Sequence, residues 1–535
     1  MMCEEGWVNP SPLFARKQGK SEGKGKVAQQ KDAAAEEKEP QQEEKGLAEA
    51  EAESKELSAE EKEEEAQQVA RMGTAPVGRL LLEFCVPAVA GNVLTALYNV
   101  IDSVFLGNAM GEVGLAATTV AMPIMTTMMA LAVLAGAGGN SYTAILLGRG
   151  EHDRAEQALG NTMFLMIVFA IPVAFVATFC LDPILRVVGA TDVTLPYSHR
   201  FVQIVLYGFI FNNISFGISN FMRTAGTPWR ALGVSGLGAV VCIALNALFV
   251  LKFGWGVRGS ALATVTGQAI ASVWVLRYFI FNKNAPFHLK AHYLKPDGKL
   301  CLHILSLGLA PCALQAAAAI TQVAGNSVMA NLGAQDEIGT DGALASIGVT
   351  MKIVMFTIFP ASGIAIGAQP VLGFNVGARK FDRVKRALFD AIGAAFVLLM
   401  CFFIAIHLWP RQIIGLFGVE EHLMDFAVTA LQIQTAMLPF ACIQVIGSNY
   451  FQATGQPAKS TMLSLSRQLI FLLPMYFILP AVMPNLFPQV TGLIAFCFAF
   501  PVADFLAAVL CSIFLIIEIR RLNGLIRQQR EGQNA

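Results

Sequence analysis

From Leu80 onward the chain is a succession of apolar runs separated by short polar loops. Each run is about 17–25 residues long, the length at which a helix crosses the hydrocarbon of a bilayer. In that medium backbone N–H and C=O groups must be satisfied without water, which leaves helices and closed barrels as the ways across. Twelve runs are centred near Leu94, Thr127, Ile167, Ile210, Val241, Ala271, Thr321, Phe359, Val397, Met437, Phe471 and Ala503. They are long and continuous rather than short and alternating, so the expectation is an all-α membrane protein and not an outer-membrane barrel. Composition agrees, with 55% hydrophobic and 14% charged residues, against roughly 25% charged in a soluble domain.

The net charge of zero averages two unlike parts. Residues 1–78 hold 18 acids and 11 bases, and the remainder holds 20 acids and 27 bases. From Lys24 to Gln68 the chain is built of Glu, Lys, Gln and Ala, with almost nothing to bury in a core. Residues 1–78 are therefore expected to be a disordered tail or a lone charged helix. Met1–Ala15 lacks the apolar core of a secretory signal, so the first span is expected to direct insertion. Basic residues collect in alternate loops. One set includes Arg149, Arg154, Arg223, Arg230, Lys290, Lys295, Arg379, Lys380, Arg383, Lys459 and the C-terminal arginines; the other holds only Arg186, Arg200, Lys252, Arg258 and Arg411. The positive-inside rule places the first set and both termini in the cytoplasm.

Nothing points to catalysis. The cysteines sit singly in or beside apolar segments, and His288 and His292 lack the third ligand that a catalytic zinc needs. There is no Gly-rich phosphate loop and no nucleophile with a recognisable base. The expectation is a protein that is not an enzyme and carries no cofactor.

The two halves repeat. Gly148, Asp153, Arg154, Ala158 and Leu159 recur 229 residues later as Gly377, Asp382, Arg383, Ala387 and Leu388. The same offset carries Gly226 and Pro228 onto Gly455 and Pro457, and Leu115-Ala116 onto Leu344-Ala345. Span 1 aligns with span 7 at an offset of 224, Pro87 on Pro311, with extra residues around Asp336–Asp341 making up the difference. Six spans in each half insert the same way up. The expected architecture is two six-helix bundles related by a parallel internal repeat, with a V-shaped cavity between them.

A charge within a span costs about 2.5–3.5 kcal/mol on the gentlest scale, so each one is a candidate site. Span 1 carries Asp102, with Tyr98 four residues earlier on the same helical face. The matching positions of span 7 are Gln322 and Asn326, polar but uncharged. Asp504 lies mid-way along span 12, where a carbonyl freed by Pro501 is the expected partner. Lys352 and Arg467 read as inter-helix pairing or snorkelling residues.

The segments LYNVIDSVFLG, LGRGEHDRAEQALG, FPASGIAIGAQPVLGFNVGARKFDRVKRAL and FQATGQPAKSTMLSLSRQLIFLLP resemble the multidrug and toxic compound extrusion (MATE) transporters, most of all the MepA-like bacterial branch. The resemblance runs from about Gly78 to Arg521. It implies a secondary active exporter of lipophilic and cationic organic compounds in a cell membrane, exchanging them for protons or sodium ions. A flippase for a lipid-linked oligosaccharide, from the same broader superfamily, is the alternative; such proteins line the cavity with arginines, and only Arg467 and Lys352 are deep cations here. By the same resemblance Asp102 is the titrating carboxylate, Tyr98 and Thr264 belong to its hydrogen-bond network, and Pro87 is the point at which span 1 bends. Asn246 stands where a span-5 aspartate is common, and Cys242 where that motif has asparagine. Gln432, Gln434 and Gln444 on span 10 are expected to line the cavity without neutralising a cation. The implied partners are small organic cations and membrane lipids, with no nucleic acid and a monomeric state.

These readings divide the chain into a cytoplasmic tail (1–78), a first bundle with its connecting loop (79–299), a second bundle (300–521) and a C-terminal tail (522–535). Deleting residues 1–67 is expected to leave membrane insertion and export unchanged, checked by the yield of membrane-extracted monodisperse protein and by dye efflux. Loss of folded protein would give the tail a structural role.

Overall fold

The computed structural model describes residues 71–188, 195–282, 285–336, 338–417 and 421–534; most side chains between residues 96 and 123, including those of Tyr98 and Asp102, and those at 340–341 and 344–345 lie outside the description. The expectation for residues 1–70 also falls outside it. The principal helices are α1 (Val77–Gly148), α2 (His152–Phe179), α3 (Leu195–Tyr207), α4 (Phe209–Thr224), α5 (Pro228–Lys252), α6 (Gly256–Phe281), α7 (Gly298–Gly333), α8 (Gly339–Gly377), α9 (Phe381–Leu408), α10 (Glu421–Ala453), α11 (Pro457–Leu486) and α12 (Gly492–Glu531). Among the described residues there are 11 helices long and apolar enough to cross a membrane, and 12 when the bent pair α3–α4 counts as one span. The chain is an all-α protein with the number of spans expected.

The repeat is written into the backbone. Gly226 and Gly455 take positive φ values of 82° and 76°. Each closes a helix by the same pair of bonds: Thr227 N–H to Met222 O and Gly226 N–H to Arg223 O, then Gln456 N–H to Phe451 O and Gly455 N–H to Gln452 O. Pro228 and Pro457 then open α5 and α11 at the first helical turn, where a missing N–H costs nothing. Arg379, at φ 56°, adopts the left-handed conformation that Gly150 adopts in the first half.

α1 carries two apolar windows, Val77–Thr95 and Ile124–Gly148. A straight helix of 72 residues would be about 108 Å long. Cys85 and Gly148, near opposite ends of the run, nevertheless both abut one short stretch of α8, at Gly367 and Phe374. The run therefore turns back between its two windows, giving two antiparallel arms. Met110, between the windows, packs on Gly256 at the start of α6.

Contact between the halves relies on missing side chains. Gly363 and Gly367 form a small-xxx-small pair on α8, and a Cβ on either would lie 2.6 Å from the Cα of Val89 or Cys85. Asn92 Nδ2 donates to Phe359 O across the same seam at 3.3 Å, and Cys85 Sγ to Ile364 O at 3.4 Å. The second arm of α1 meets α7 in the same manner, with Gly138 against Ile304 and Gly308 against Leu134.

Polar bonds reinforce this seam where the chain enters each half. The carbonyls of Met72, Gly73, Thr74 and Ala75, at the end of the helical turn before α1, are held by the second half. Arg383 donates to Met72, Thr74 and Ala75, Lys380 Nζ to Gly73 at 2.8 Å, and Asn375 Nδ2 to Met72 at 2.9 Å. Cations at a helix C-terminus satisfy carbonyls that have no intrahelical partner. Reciprocally, the segment before α7 is held by the first half. Glu156 on α2 accepts from His288 N–H at 3.0 Å and Lys290 Nζ at 2.5 Å, and Asn161 accepts from Asp297 N–H at 2.8 Å. The hydrogen bond to Glu156 also raises the pKa of the Lys290 ammonium above its ordinary value, against a smaller opposing effect of burial.

Buried side chains fall into three clusters. One draws on both halves, including Leu80, Phe84, Leu146 and Phe221 with Ala365, Val371, Leu388 and Phe451. A second comes from the first half alone, including Leu106, Met128, Phe201 and Val257; a third comes from the second half alone, including Met329, Ile347, Tyr476 and Phe496. In the first half the shared cluster lies toward the basic loop at Arg149; in the second half it runs from the basic loop at Arg383 to the opposite end at Ile406, Ile414 and Met424, while the two separate clusters lie toward that opposite end. Gly367→Val is expected to force α1 and α8 apart at a cost of about 1–3 kcal/mol, read as a lower thermal-aggregation midpoint in detergent. Gly393→Ala, on α9 with nothing within 4 Å of a Cβ, is the control expected to leave that midpoint unchanged or raise it.

Candidate functional site

In the first half a small polar cluster is buried between α5 and α6. Thr264 Oγ1 lies 3.7 Å from Cys242 Sγ, and Asn246 Nδ2 donates to the same sulfur at 3.5 Å. Asn246 is 1% exposed, and its Oδ1 has no hydrogen-bond partner among the described residues. A buried amide oxygen left without a donor costs about 1–3 kcal/mol, so among the described residues the cluster is one donor short. α5 changes to π-helical winding directly after this residue, over Ala247–Lys252, a winding frequent at functional sites. Asp102 and Tyr98 lie on the α1 run, outside the described side chains. Two contacts fix the run beside α5: Gly91 faces Leu232 and Ser235, and Met110 packs on Gly256. Pro87 is buried four residues before Gly91.

The second half holds a larger polar group. Gln322 Nε2 donates to Asn326 Oδ1 at 3.0 Å on an exposed face of α7, so these two sequence candidates are brought together. The neighbouring Thr321 turns the other way and donates to Gln468 Oε1 of α11 at 3.2 Å. Gln434 Nε2 reaches Cys497 Sγ at 3.8 Å, while its Oε1 is buried without a partner among the described residues. Gln432 is half-buried on the adjoining turn. Gln444 is buried, and its Nε2 donates to Leu463 O at 3.3 Å, which ties α10 to α11.

Asp504 differs from expectation. Its partner is Arg467 rather than a carbonyl freed by Pro501: Arg467 Nε donates to Asp504 Oδ1 at 2.5 Å, with the side chains 17% and 7% exposed. Inter-helix pairing was the reading for Arg467, but its partner was not identified, because Asp504 was considered on its own span. The available signal was that two opposite charges on consecutive spans remove each other's penalty. Lys352 on α8 is exposed. It falls on the helical face that runs from Gly367 through Gly363 and Phe359, which touches α1 lower down. Among the described residues no group of His, Cys, Asp and Glu has the makings of a metal site.

Comparison with known proteins agrees with this geometry. The sequence pattern of the MatE family matches twice, over residues 87–248 and 313–478, once in each half. The multidrug export protein MepA of Staphylococcus aureus (strain N315) is 24% identical over 421 residues, covering 78% of this chain and 90% of its own length. A multidrug resistance MATE family transporter of the MOP superfamily, solved in an outward-facing conformation, superposes with a TM-score of 0.79 at 21% identity, over 85% of this chain and 98% of its own. A MOP superfamily transporter from Pyrococcus furiosus, whose binding pocket is described as reversed in polarity, gives 0.78 at 21% identity over the same shares. With the family pattern spanning most of both bundles, the chain belongs to the MatE family, the multidrug and toxic compound extrusion transporters.

Proposed function

We propose that the protein is a secondary active exporter that moves lipophilic, cationic organic compounds across a cell membrane in exchange for protons or sodium ions. Its two six-helix halves are related by a parallel repeat and enclose a V-shaped cavity. The observation that carries this reading is the division of the buried core. One cluster joins the halves at the end of the basic loops, and separate clusters fill each half at the other end. First-half residues enter the shared cluster only toward the basic-loop end, and at the other end each half packs without the other, which supports a cleft there. With the basic loops and both termini in the cytoplasm, that cleft opens outward.

Asp102 is the coupling residue on this reading. α1 and α5 both start at the basic-loop end, and Gly91 lies level with Ser235 and Met110 with Gly256. These contacts bracket Asp102 and Asn246, each eleven residues beyond the lower one, and so support a common depth for the two. Ionised, Asp102 offers the single negative charge of the first-half cluster to an organic cation. Protonated, it releases the cation and supplies a donor to Asn246 Oδ1, a buried acceptor with no donor among the described residues. Tyr98 and Thr264 hold the ionised form by hydrogen bonds. Pro87 removes a backbone bond from the cytoplasmic half of α1, which gives that arm a place to bend.

Proteoliposomes loaded with a fluorescent organic cation and given separate proton and sodium gradients test this. The protein is expected to drive efflux with one of the two gradients. Asp102→Asn is expected to accumulate at the wild-type level and lose gradient-driven efflux to background. Normal transport by Asp102→Asn with an unchanged pH profile would place the coupling elsewhere.

A further inference from the structure

Arg223, at the end of α4, is a buried charge that the exchange at Asp102 does not use. It is 6% exposed. Its Nη1 donates to Asn220 Oδ1, one turn earlier on the same helix. Its Nε is buried with no hydrogen-bond partner, and the guanidinium has no carboxylate partner, among the described residues. Glu83, the acid two turns before Gly91 on the facing arm of α1, bonds Arg71 at 3.4 Å instead. A charge taken out of water with nothing to offset it is costly, so a position that keeps one is expected to hold its counter-charge.

The repeat shows that the fold does not require this charge. The offset of 229 carries Asn140, Asn220 and Arg223 onto Gln369, Asn449 and Gln452. There the network is neutral: Gln369 Nε2 donates to Asn449 Oδ1 at 2.8 Å and to Gln452 Oε1 at 3.3 Å. The facing helix differs as well. At the offset of 224 that relates span 1 to span 7, Gly91 aligns with Gln315. Where the second half has two neutral amides, the first half sets a guanidinium against a glycine. An arginine held through Nη1 keeps its other edge, on which the Nε and Nη2 protons lie side by side as a fork for an anion.

The notch at Gly91 sets the size of that anion. A Cβ on Gly91 would stand 3.8 Å from Arg223 Nη2, 3.8 Å from Leu232 Cδ1 and 4.0 Å from Ser235 Oγ. These are ordinary contact distances, so one methyl-sized atom fits between the guanidinium, the hydroxyl and the leucine. A chloride ion is close to that size, whereas a carboxylate or a phosphate needs more room. The Ser235 hydroxyl donates to Ala231 O over a long 3.3 Å, a bond it can exchange for one to an anion. We propose that Arg223, Ser235 and the notch at Gly91 bind a single chloride ion between α1, α4 and α5. The site lies among three helices of the first half and does not depend on the exporter reading. Its ion neutralises Arg223 and ties the first arm of α1, just beyond Pro87, to the two helices behind it.

The test titrates the full-length protein in detergent with sodium chloride at constant ionic strength, sodium gluconate making up the balance. A ligand of the folded state raises the thermal-aggregation midpoint in a saturable way, and a rise of about 2 °C or more is expected for the wild-type protein. Bromide is expected to act alike. Arg223→Gln installs the residue that the second half carries, and Gly91→Ala fills the notch with a methyl group at contact distance. Each is expected to fold and to lose the chloride-dependent rise, a comparison that removes non-specific effects of salt. In crystals of the wild-type protein grown in bromide, an anomalous peak is expected against Arg223 Nη2. No saturable rise in the wild-type protein, an undiminished rise in either variant, or a bromide crystal without that peak would overturn the proposal. The crystal decides by itself should neither variant accumulate.

Discussion

The architecture depends on the close approach of α8 to both arms of α1. In a bilayer the hydrophobic effect does not drive one helix onto another, because lipid tails are as apolar as leucine. Association then depends on packing and on hydrogen bonds between helices. Gly363 and Gly367 let α8 come within backbone distance of the first arm, and Gly148 lies against Phe374 at the end of the second. These contacts join the halves at the basic-loop end.

The two halves share a backbone plan and differ in chemistry. The first half buries a thiol, a hydroxyl and an amide with an unsatisfied oxygen. The second buries an ion pair and a glutamine whose oxygen, like that of Asn246, has no donor among the described residues. Under the proposed function this asymmetry places the exchange of a proton for a cation in the first half. Equal halves would offer one chemistry twice.

Much of the fold was legible because the membrane restricts the options. Apolar run length gave the spans, and the glycine and proline at Gly226/Pro228 and Gly455/Pro457 gave the turns whose bonds then match one for one. Gln322 and Asn326 were picked out as the positions matching Tyr98 and Asp102, and the bond between them was not foreseen. The remainder involves contacts distant in sequence. Arg383 was read as one more cytoplasmic charge, but it holds carbonyls at residues 72–75. Nothing in the periodicity of either segment reports that meeting. Asp504 was assigned to a nearby proline for the same reason: local spacing identifies neighbours on one helix and not the residue facing it from another.

The segment before α1 is gripped by the second half, and the segment before α7 by the first. Under the proposed two-fold relation this is the contact pattern of an isologous dimer, in which patch i of one body meets patch j of the other and the reverse holds as well. Neither bundle is self-sufficient in this arrangement, since each would leave its own entry carbonyls or its own gripping side chains unpaired if made alone. The chain is in this sense a dimer whose subunits have been tied end to end. Such a tie frees each subunit from having to be its partner's twin, and it is the condition under which one side can carry Gly91 and Arg223 where the other carries Gln315 and Gln452.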